Sequence, residues 1–188
     1  MSSPHPQQEL LAQVAALRAQ LRDIEHRLGA SATAERPLPS TAFHVLVCRV
    51  GDERVGLWLA EVREVVPVAL MVALPEAPPW IAGLLELGGT ALPVIDVAGR
   101  FARTGREVGL GDLVVICRGE PRDTGLVVQE VFDVRVVEPE AVVPPAREIP
   151  QGPYLRGAIR DPEGLLLLLS LERLIESSDV PELSEGEA

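Results

Sequence analysis

An internal repeat constrains the fold of this 188-residue chain more than any other feature of its sequence. A shift of 69 residues lays 47–65 on 116–134, with the shared pattern G-L-x-x-x-E-V-x-[ED]-V. A shift of 74 residues lays 79–97 on 153–171, and both segments open with the pattern Pro-aromatic-x-x-Gly. Chance similarity of two valine-rich strands is the alternative, but the aligned glycine and acidic positions argue against it. The central body is therefore predicted to be two copies of one unit.

Each copy is small for a self-sufficient core, so the two copies are expected to pack on each other in a pseudo-twofold arrangement. The chain is 47% hydrophobic, which supplies enough apolar side chains for a shared core. Closed barrels of about five strands remove the unpaired edges that small sheets would otherwise expose. The predicted architecture is thus mainly β, with two small barrels that share a core.

Seven short segments rich in Val, Leu and Ile are predicted to be strands, because each is bounded by Gly, Pro or Asp. They are FHVLVCRV, RVGLWL, ALPVIDV, DLVVICR, DTGLVV, VFDVRVV and LLLLLS. Two short helical segments are predicted among them. One follows Leu59, in AEVREV, and the other is SLERLIES near the C-terminus, where Ser170 can cap the first turn.

The N-terminal residues 1–28 carry a heptad pattern and are predicted to form an amphipathic α-helix. Its apolar seam consists of Leu10, Val14, Leu17, Leu21, Ile24 and Leu28. Three heptads are marginal in water, so the seam needs a second copy, the chain's own body or a partner protein to cover it. Residues 29–42 are predicted to be a flexible linker, 43–176 the globular body and 177–188 an acidic disordered tail.

The charge balance excludes several classes of partner. The 28 acidic residues exceed the 17 basic ones, giving a net charge of −11, so nucleic acid and anionic membranes are unfavourable partners. No apolar run reaches the roughly 18 residues of a spanning helix, so membrane insertion is not expected and the cytoplasm is the predicted location. Cys48 and Cys117 lie in apolar segments and are predicted to be buried, reduced thiols.

Residues able to carry out catalysis are scarce. His5, His26 and His44 form no pair with metal-ligand spacing, and no serine lies in a G-x-S-x-G elbow. The repeat also tests Asp96 as half of a carboxylate pair, because its equivalent in the second copy is Ser170. The sequence therefore predicts no catalytic residue, no metal site and no cofactor.

The aromatic residues are candidates for partner contacts in a chain with so few rings. Five of the six are candidates, and each either fills a barrel core or anchors a partner: Trp58, Trp80, Phe101, Phe132 and Tyr154. Together with the heptad seam, they favour a protein-binding module over an enzyme.

The body resembles the CheW-like domain of bacterial chemosensory systems. The segments that carry the resemblance run in family order from Phe43 to Ile175, and they are GDERVGLWLAEVREVV, LPEAPPWIAGLL, GTALPVIDV, LVVICR with GLVVQEVFDV, and PYLRGAIRDPEGLLLLLSLERLI. The resemblance implies two five-stranded SH3-like barrels around a shared core. It further implies a non-catalytic adaptor that couples the regulatory domain of a CheA-type histidine kinase to methyl-accepting chemoreceptors.

The resemblance also implies two contact surfaces. The positions that match the family's kinase contact are Val62, Glu64, Val65 and Gly83. The positions assigned to receptor binding are Leu113, Val134, Glu86 and Gly88.

One segment departs from the family pattern. Where members commonly read N-L-R-G, this chain reads Glu86-Leu87-Gly88-Gly89. Because a guanidinium is lost and a carboxylate gained, any contact with a partner carboxylate is expected to weaken there. The N-terminal heptad helix is a further addition to the minimal adaptor and is consistent with self-association. The alternative function is therefore a divergent, oligomerising regulator that has lost kinase or receptor binding.

Overall fold

A computed structural model of the chain describes residues 38–68, 71–74, 77–102, 107–119, 122–145 and 149–175. The predicted heptad helix (1–28), most of the predicted linker and the predicted tail (177–188) lie outside these residues.

Eleven strands and two short helices make up the described part of the chain. In order they are β1 (Phe43–Val50), β2 (Glu53–Trp58), β3 (Val62–Pro67), β4 (Met71–Val72), β5 (Ile81–Leu87), β6 (Thr90–Asp96), α1 (Val97–Ala102), β7 (Leu113–Cys117), β8 (Thr124–Val128), β9 (Glu130–Val137), β10 (Leu155–Asp161), β11 (Gly164–Leu169) and α2 (Leu171–Ile175). The predicted mainly β architecture is confirmed, and all seven predicted strands are present.

The two predicted helical segments have different outcomes. The helix predicted in AEVREV is wrong, because only a single 3-10 turn forms at Leu59–Glu61 and the chain then enters β3. The valines of β3 pair with β7 and bury their side chains there, which outweighs the weak local helical pattern. The C-terminal helix is confirmed, and the Ser170 hydroxyl accepts a 3.4 Å hydrogen bond from the Arg173 N–H.

The strands form two sheets that exchange strands between the sequence copies. Barrel 1 has the order β10-β11-β2-β1-β9, and barrel 2 has the order β3-β7-β8-β6-β5-β4. Barrel 1 therefore combines the first two strands of the first copy with the last three of the second. Barrel 2 combines the remaining strands, which are β3 to β6 of the first copy and β7 and β8 of the second. Neither sequence copy forms a barrel by itself in this arrangement, and each barrel requires strands of both copies.

The pairing registers of the two barrels are equivalent. The β5–β6 ladder contains a bulge between Ile81 and Gly83, and the β10–β11 ladder contains one between Leu155 and Gly157, which are 74 residues further along. The β3–β7 and β9–β1 ladders likewise each contain an irregularity at equivalent positions. The repeat read from the sequence is thus a repeat of backbone geometry.

Alternation along β1 and β7 divides the apolar side chains among three cores. Val45 and Val47 point into barrel 1, and Val114 and Ile116 point into barrel 2. The intervening residues of both strands, which include Cys48 and Cys117, enter a third and larger cluster that draws on both barrels. We call this cluster the shared core. It confirms the packing of the two copies on each other that the sequence predicts.

Candidate protein-binding surfaces

The predicted kinase surface on β3 consists of polar side chains that lie above buried valines. Val62 and Val65 are fully buried in the shared core, so their side chains support the strand from beneath. Between them, Arg63 is exposed and Glu64 is half-buried. Arg63 bonds Asp123 at 2.7 Å and approaches Glu64 at 3.9 Å. Of the predicted β3 residues, only Glu64 therefore presents its side chain to a partner, and Arg63 is a neighbour that the sequence reasoning missed.

Gly83 occupies a position where the fold itself requires glycine. Its φ of +155° is unfavourable for other residues, and an added Cβ would lie 2.3 Å from the carbonyl oxygen of Val72. The equivalent Gly157 of barrel 1 approaches Val143 in the same way, with the carbonyl oxygen 2.9 Å from an added Cβ. Because both barrels have this close approach, the structure accounts for Gly83 without a partner. Val72 beside it is 70% exposed and available for contact.

Leu113 and Val134, two predicted receptor-binding residues, both belong to or pack on the shared core. Leu113 is a buried member of that cluster and Val134 packs against it from β9. Val134 pairs with Leu46 of β1, and the next outward pair on the same face joins Val136 to His44. This places Val134 where the shared core reaches the surface.

An apolar stripe continues outward from Val134 along β9. Phe132 is 43% exposed and Val136 is 61% exposed, and Val134 lies between them along the strand. We call these three residues the β9 stripe. Phe132 is the extra residue of the bulge opposite Val47 and Cys48, and β9 is the last strand of its sheet. The exposure of Phe132 is one of the two alternatives that the sequence left open, whereas that of Val136 was not predicted, although the alternation of apolar and charged residues in V-F-D-V-R-V was a signal for it.

Glu86 and Gly88 lie away from Leu113 and Val134, on the hairpin that joins β5 to β6. Glu86 is exposed and pairs with Ala91, and the hairpin closes through Leu87 and Thr90. The two turn residues Gly88 and Gly89 have φ of 60° and 83°, the geometry of a type I′ turn, which favours glycine at both positions. The departure from N-L-R-G therefore has a backbone reason at Gly88, and the predicted receptor-binding residues occupy two separate places.

The corresponding hairpin of barrel 1 carries an ionic cluster. Arg54 of β2 and Arg135 of β9 both bond Asp161 and Glu163 at the β10–β11 turn, with N–O distances of 2.6–2.9 Å. Burial would raise the pKa of Asp161, but hydrogen bonds from Arg54 and the Glu163 N–H, together with the charges of both arginines, hold it below its ordinary value. The cluster ties strands from both sequence copies together.

Two further arginines join the copies near the shared core. Arg156 of β10 bonds Glu61 of the first copy and lies 5.0 Å from the ring of Trp58. Arg100 of α1 lies 4.0 Å over Trp80 and 5.2 Å from Tyr154, the equivalent aromatic residues of the two copies. The two copies also share a backbone hydrogen bond at these aromatic residues. The Asp96 N–H donates to the carbonyl of Trp80, and the equivalent Ser170 N–H donates to the carbonyl of Tyr154.

The described residues offer little for catalysis. Within the six described ranges, no group of three or more His, Cys, Asp or Glu side chains could hold a metal ion. Cys48 and Cys117 are buried free thiols, and burial raises the pKa of both well above the ordinary value, so neither forms a nucleophilic thiolate near neutral pH. No helix in the described part is long and apolar enough to cross a membrane.

Comparison with known proteins decides the family. The model of the CheW-like domain matches residues 44–179, which include both barrels. The chain belongs to the CheW-like domain family. It is 25% identical to the probable chemotaxis protein CheW of Rhizobium etli over 72% of this chain and 88% of that protein. It is 27% identical to the chemotaxis protein CheW of Klebsiella aerogenes over 72% of this chain and 82% of that protein.

A solved structure agrees with the CheW-like fold. The scaffolding protein TtCheW of Thermoanaerobacter tengcongensis superimposes with a TM-score of 0.68, at 24% identity, over 81% of this chain and 98% of that one. The prediction of two SH3-like barrels with a shared core is thereby confirmed, with β4 as a short sixth strand in barrel 2. The prediction of a CheW-like chemotaxis adaptor is confirmed at the level of the family.

Proposed function

We propose that this CheW-like chain couples the regulatory domain of a CheA-type histidine kinase to methyl-accepting chemoreceptors in the cytoplasm, as a non-catalytic adaptor. The observation that carries the proposal is the family match across both barrels, since it includes both predicted contact surfaces. A coupling protein must hold two partners at once. Two surfaces of different composition, one charged and one apolar, suit this task.

The kinase contact is assigned to the β3 surface, with Glu64 as its central charged group. Glu64 is half-buried beside Arg63 and rests on the buried Val62 and Val65. A partly desolvated carboxylate of this kind favours a basic group on the partner and determines orientation more than total affinity. Val62, Val65 and Gly83 contribute by holding the backbone of this surface in place.

The receptor contact is assigned to the place where the shared core reaches the surface, at Leu113 and Val134. Val134 is only partly buried where it packs on the shared core, and an apolar side chain of this kind is suited to burying a helix of a partner, while Leu113 is buried in that core. Glu86 and Gly88 lie on a separate hairpin and form a second, peripheral part of this assignment.

The test measures the two partners separately. Glu64→Arg is expected to weaken binding of the kinase regulatory domain by about tenfold or more while leaving receptor binding unchanged. Val134→Ala is expected to weaken binding of the receptor's cytoplasmic fragment by about fivefold while leaving kinase binding unchanged. Asp52→Arg serves as the matched control, because Asp52 is exposed in the turn between β1 and β2 and undergoes the same charge reversal. Isothermal titration provides the affinities, and thermal unfolding checks that each variant folds.

Two outcomes would contradict the proposal. If Glu64→Arg and Asp52→Arg bind the kinase equally, the kinase contact does not lie on β3. If the wild-type chain binds neither partner and its mass in light scattering falls when residues 1–37 are removed, the chain is the oligomerising regulator considered as the alternative.

A further inference from the structure

The β9 stripe is an exposed apolar surface that the described residues leave uncovered. Phe132 and Val136 are exposed large apolar side chains on an end strand, with the partly buried Val134 between them. A stripe from residue 132 to 136 measures about 13 Å along the strand. Exposed apolar surface on an end strand favours contact with another apolar element.

The chain itself contains an apolar element without an assigned partner. The seam of residues 1–28 places an apolar side chain every three or four residues and needs a surface to cover it. One heptad of a helix, from Leu21 to Leu28, spans about 10 Å, which matches the length of the β9 stripe.

The described part of the chain begins close to the stripe. Leu38 packs against the core of barrel 1, a cluster that contains Phe43 and Val137. Phe43 and Val137 are paired across β1 and β9, and Val136 is the next residue of β9. The chain between Leu28 and Leu38 extends no more than about 35 Å. A linker of this length is long enough for residues 21–28 to reach the β9 stripe.

Tethering favours the chain's own segment over a second copy. A short linker gives an effective concentration on the order of millimolar, far above usual protein concentrations. Residues 1–28 carry three arginines and three acidic residues, so their formal charge is zero and the whole −11 belongs to the rest of the chain. Two copies would have to bring two such acidic bodies together, whereas the neutral segment meets no net repulsion from its own body.

We propose that the segment 21–28 docks on the β9 stripe of its own chain, with Leu21, Ile24 and Leu28 covering Phe132, Val134 and Val136. The docked segment occludes Val134. If the receptor contact includes Val134, docking and receptor binding exclude each other, and this consequence alone rests on the proposed function.

The test uses a cysteine reporter on the stripe in the full-length chain. Val136→Cys introduces an exposed thiol, and Cys48 and Cys117 give no background because they are buried with raised pKa values. In this background, Leu21→Glu with Ile24→Glu is compared with Ala19→Glu and His26→Glu, which add the same two charges on the opposite side of the heptad. The measurement is the rate of maleimide labelling, with no receptor or kinase present.

The seam variant is expected to label about tenfold faster than the parent. This is the ratio expected if the segment is docked in roughly nine parent molecules of ten. The control variant is expected to label at the parent rate. Leu165→Cys on β11, off the stripe, is expected to label at one rate in all three backgrounds. Phe132→Cys at the other end of the stripe replaces Val136→Cys if that reporter destabilises β9. Equal labelling of the reporter in all backgrounds overturns the proposal. Protection that increases with protein concentration, with a doubled mass in light scattering, also overturns it and assigns the stripe to a second copy.

Discussion

Barrel 1 and barrel 2 share strand registers, bulges and close glycine approaches, but they end in hairpins of different chemistry. The β10–β11 hairpin of barrel 1 is held by Arg54 and Arg135 on Asp161 and Glu163. The β5–β6 hairpin of barrel 2 turns through Gly88 and Gly89 instead. The repeat therefore preserves what closes a barrel and leaves the surface free to vary.

The largest effect is expected where the two halves are most alike. Val62 is fully buried in the shared core and Val131 is its equivalent in the second copy. Val62→Glu and Val131→Glu should each lower the free energy of unfolding by more than about 4 kcal/mol, because each buries a carboxylate without a built partner. Urea unfolding provides the measurement. A Val62→Glu protein of normal stability would show that Val62 is outside the core and would break the equivalence of the halves.

An intermediate effect is expected where the halves differ in a charge pair. Glu61 bonds the nearly buried Arg156, whereas the equivalent Glu130 bonds the exposed Arg49 at 3.3 Å. Glu61→Gln should lower the free energy of unfolding by about 3 kcal/mol, since it leaves a guanidinium poorly compensated in a desolvated place. Glu130→Gln, the matched control, should change it by no more than about 0.5 kcal/mol. Chemical denaturation of both variants tests the difference, and equal losses would mean that burial does not distinguish the two pairs.

The smallest effect is expected at the barrel 1 hairpin and depends on pH. The folded pKa of Asp161 is below its ordinary value, so the unfolded chain binds more protons in the acid range. The resulting stabilisation is fully present above the ordinary value of about 3.9 and is lost as pH falls through the folded pKa. The stability difference between the wild type and Asp161→Asn should therefore shrink from pH 6 towards pH 3, as thermal unfolding can show. Asp133→Asn, at a more exposed carboxylate, provides the comparison, and a difference that grows in acid would refute the assignment.

The sequence predicted most of the strands, but it missed those that depend on contacts with residues far away in the chain. β5 and β10 begin next to an aromatic residue and contain Gly83 or Gly157, a residue type that usually weakens a strand. Only the crossing of Val72 or Val143 over that position explains the glycine. The helix predicted in AEVREV failed for a related reason, because the partner strand β7 lies some fifty residues away and local periodicity contains no trace of it.

The candidate surfaces show the same division. The resemblance selected the β3 segment, yet burial divides it into Val62 and Val65 beneath and Glu64 above. Leu113 and Val134 lie in different barrels and join one cluster only because β7 and β9 border the same core. Phe132 is exposed because a bulge adds one residue to β9, and the register that creates this bulge was not readable from one strand.

The sequence by itself determined that the body is a duplication, that it is mainly β and that its apolar side chains alternate along each strand. These properties are local or self-similar, so spacing alone reveals them. Only the tertiary structure decided that each barrel takes strands from both copies. Strand edges present the same backbone donors and acceptors whatever the side chains, so which edge a strand joins is settled by the burial of the whole core and by no single segment.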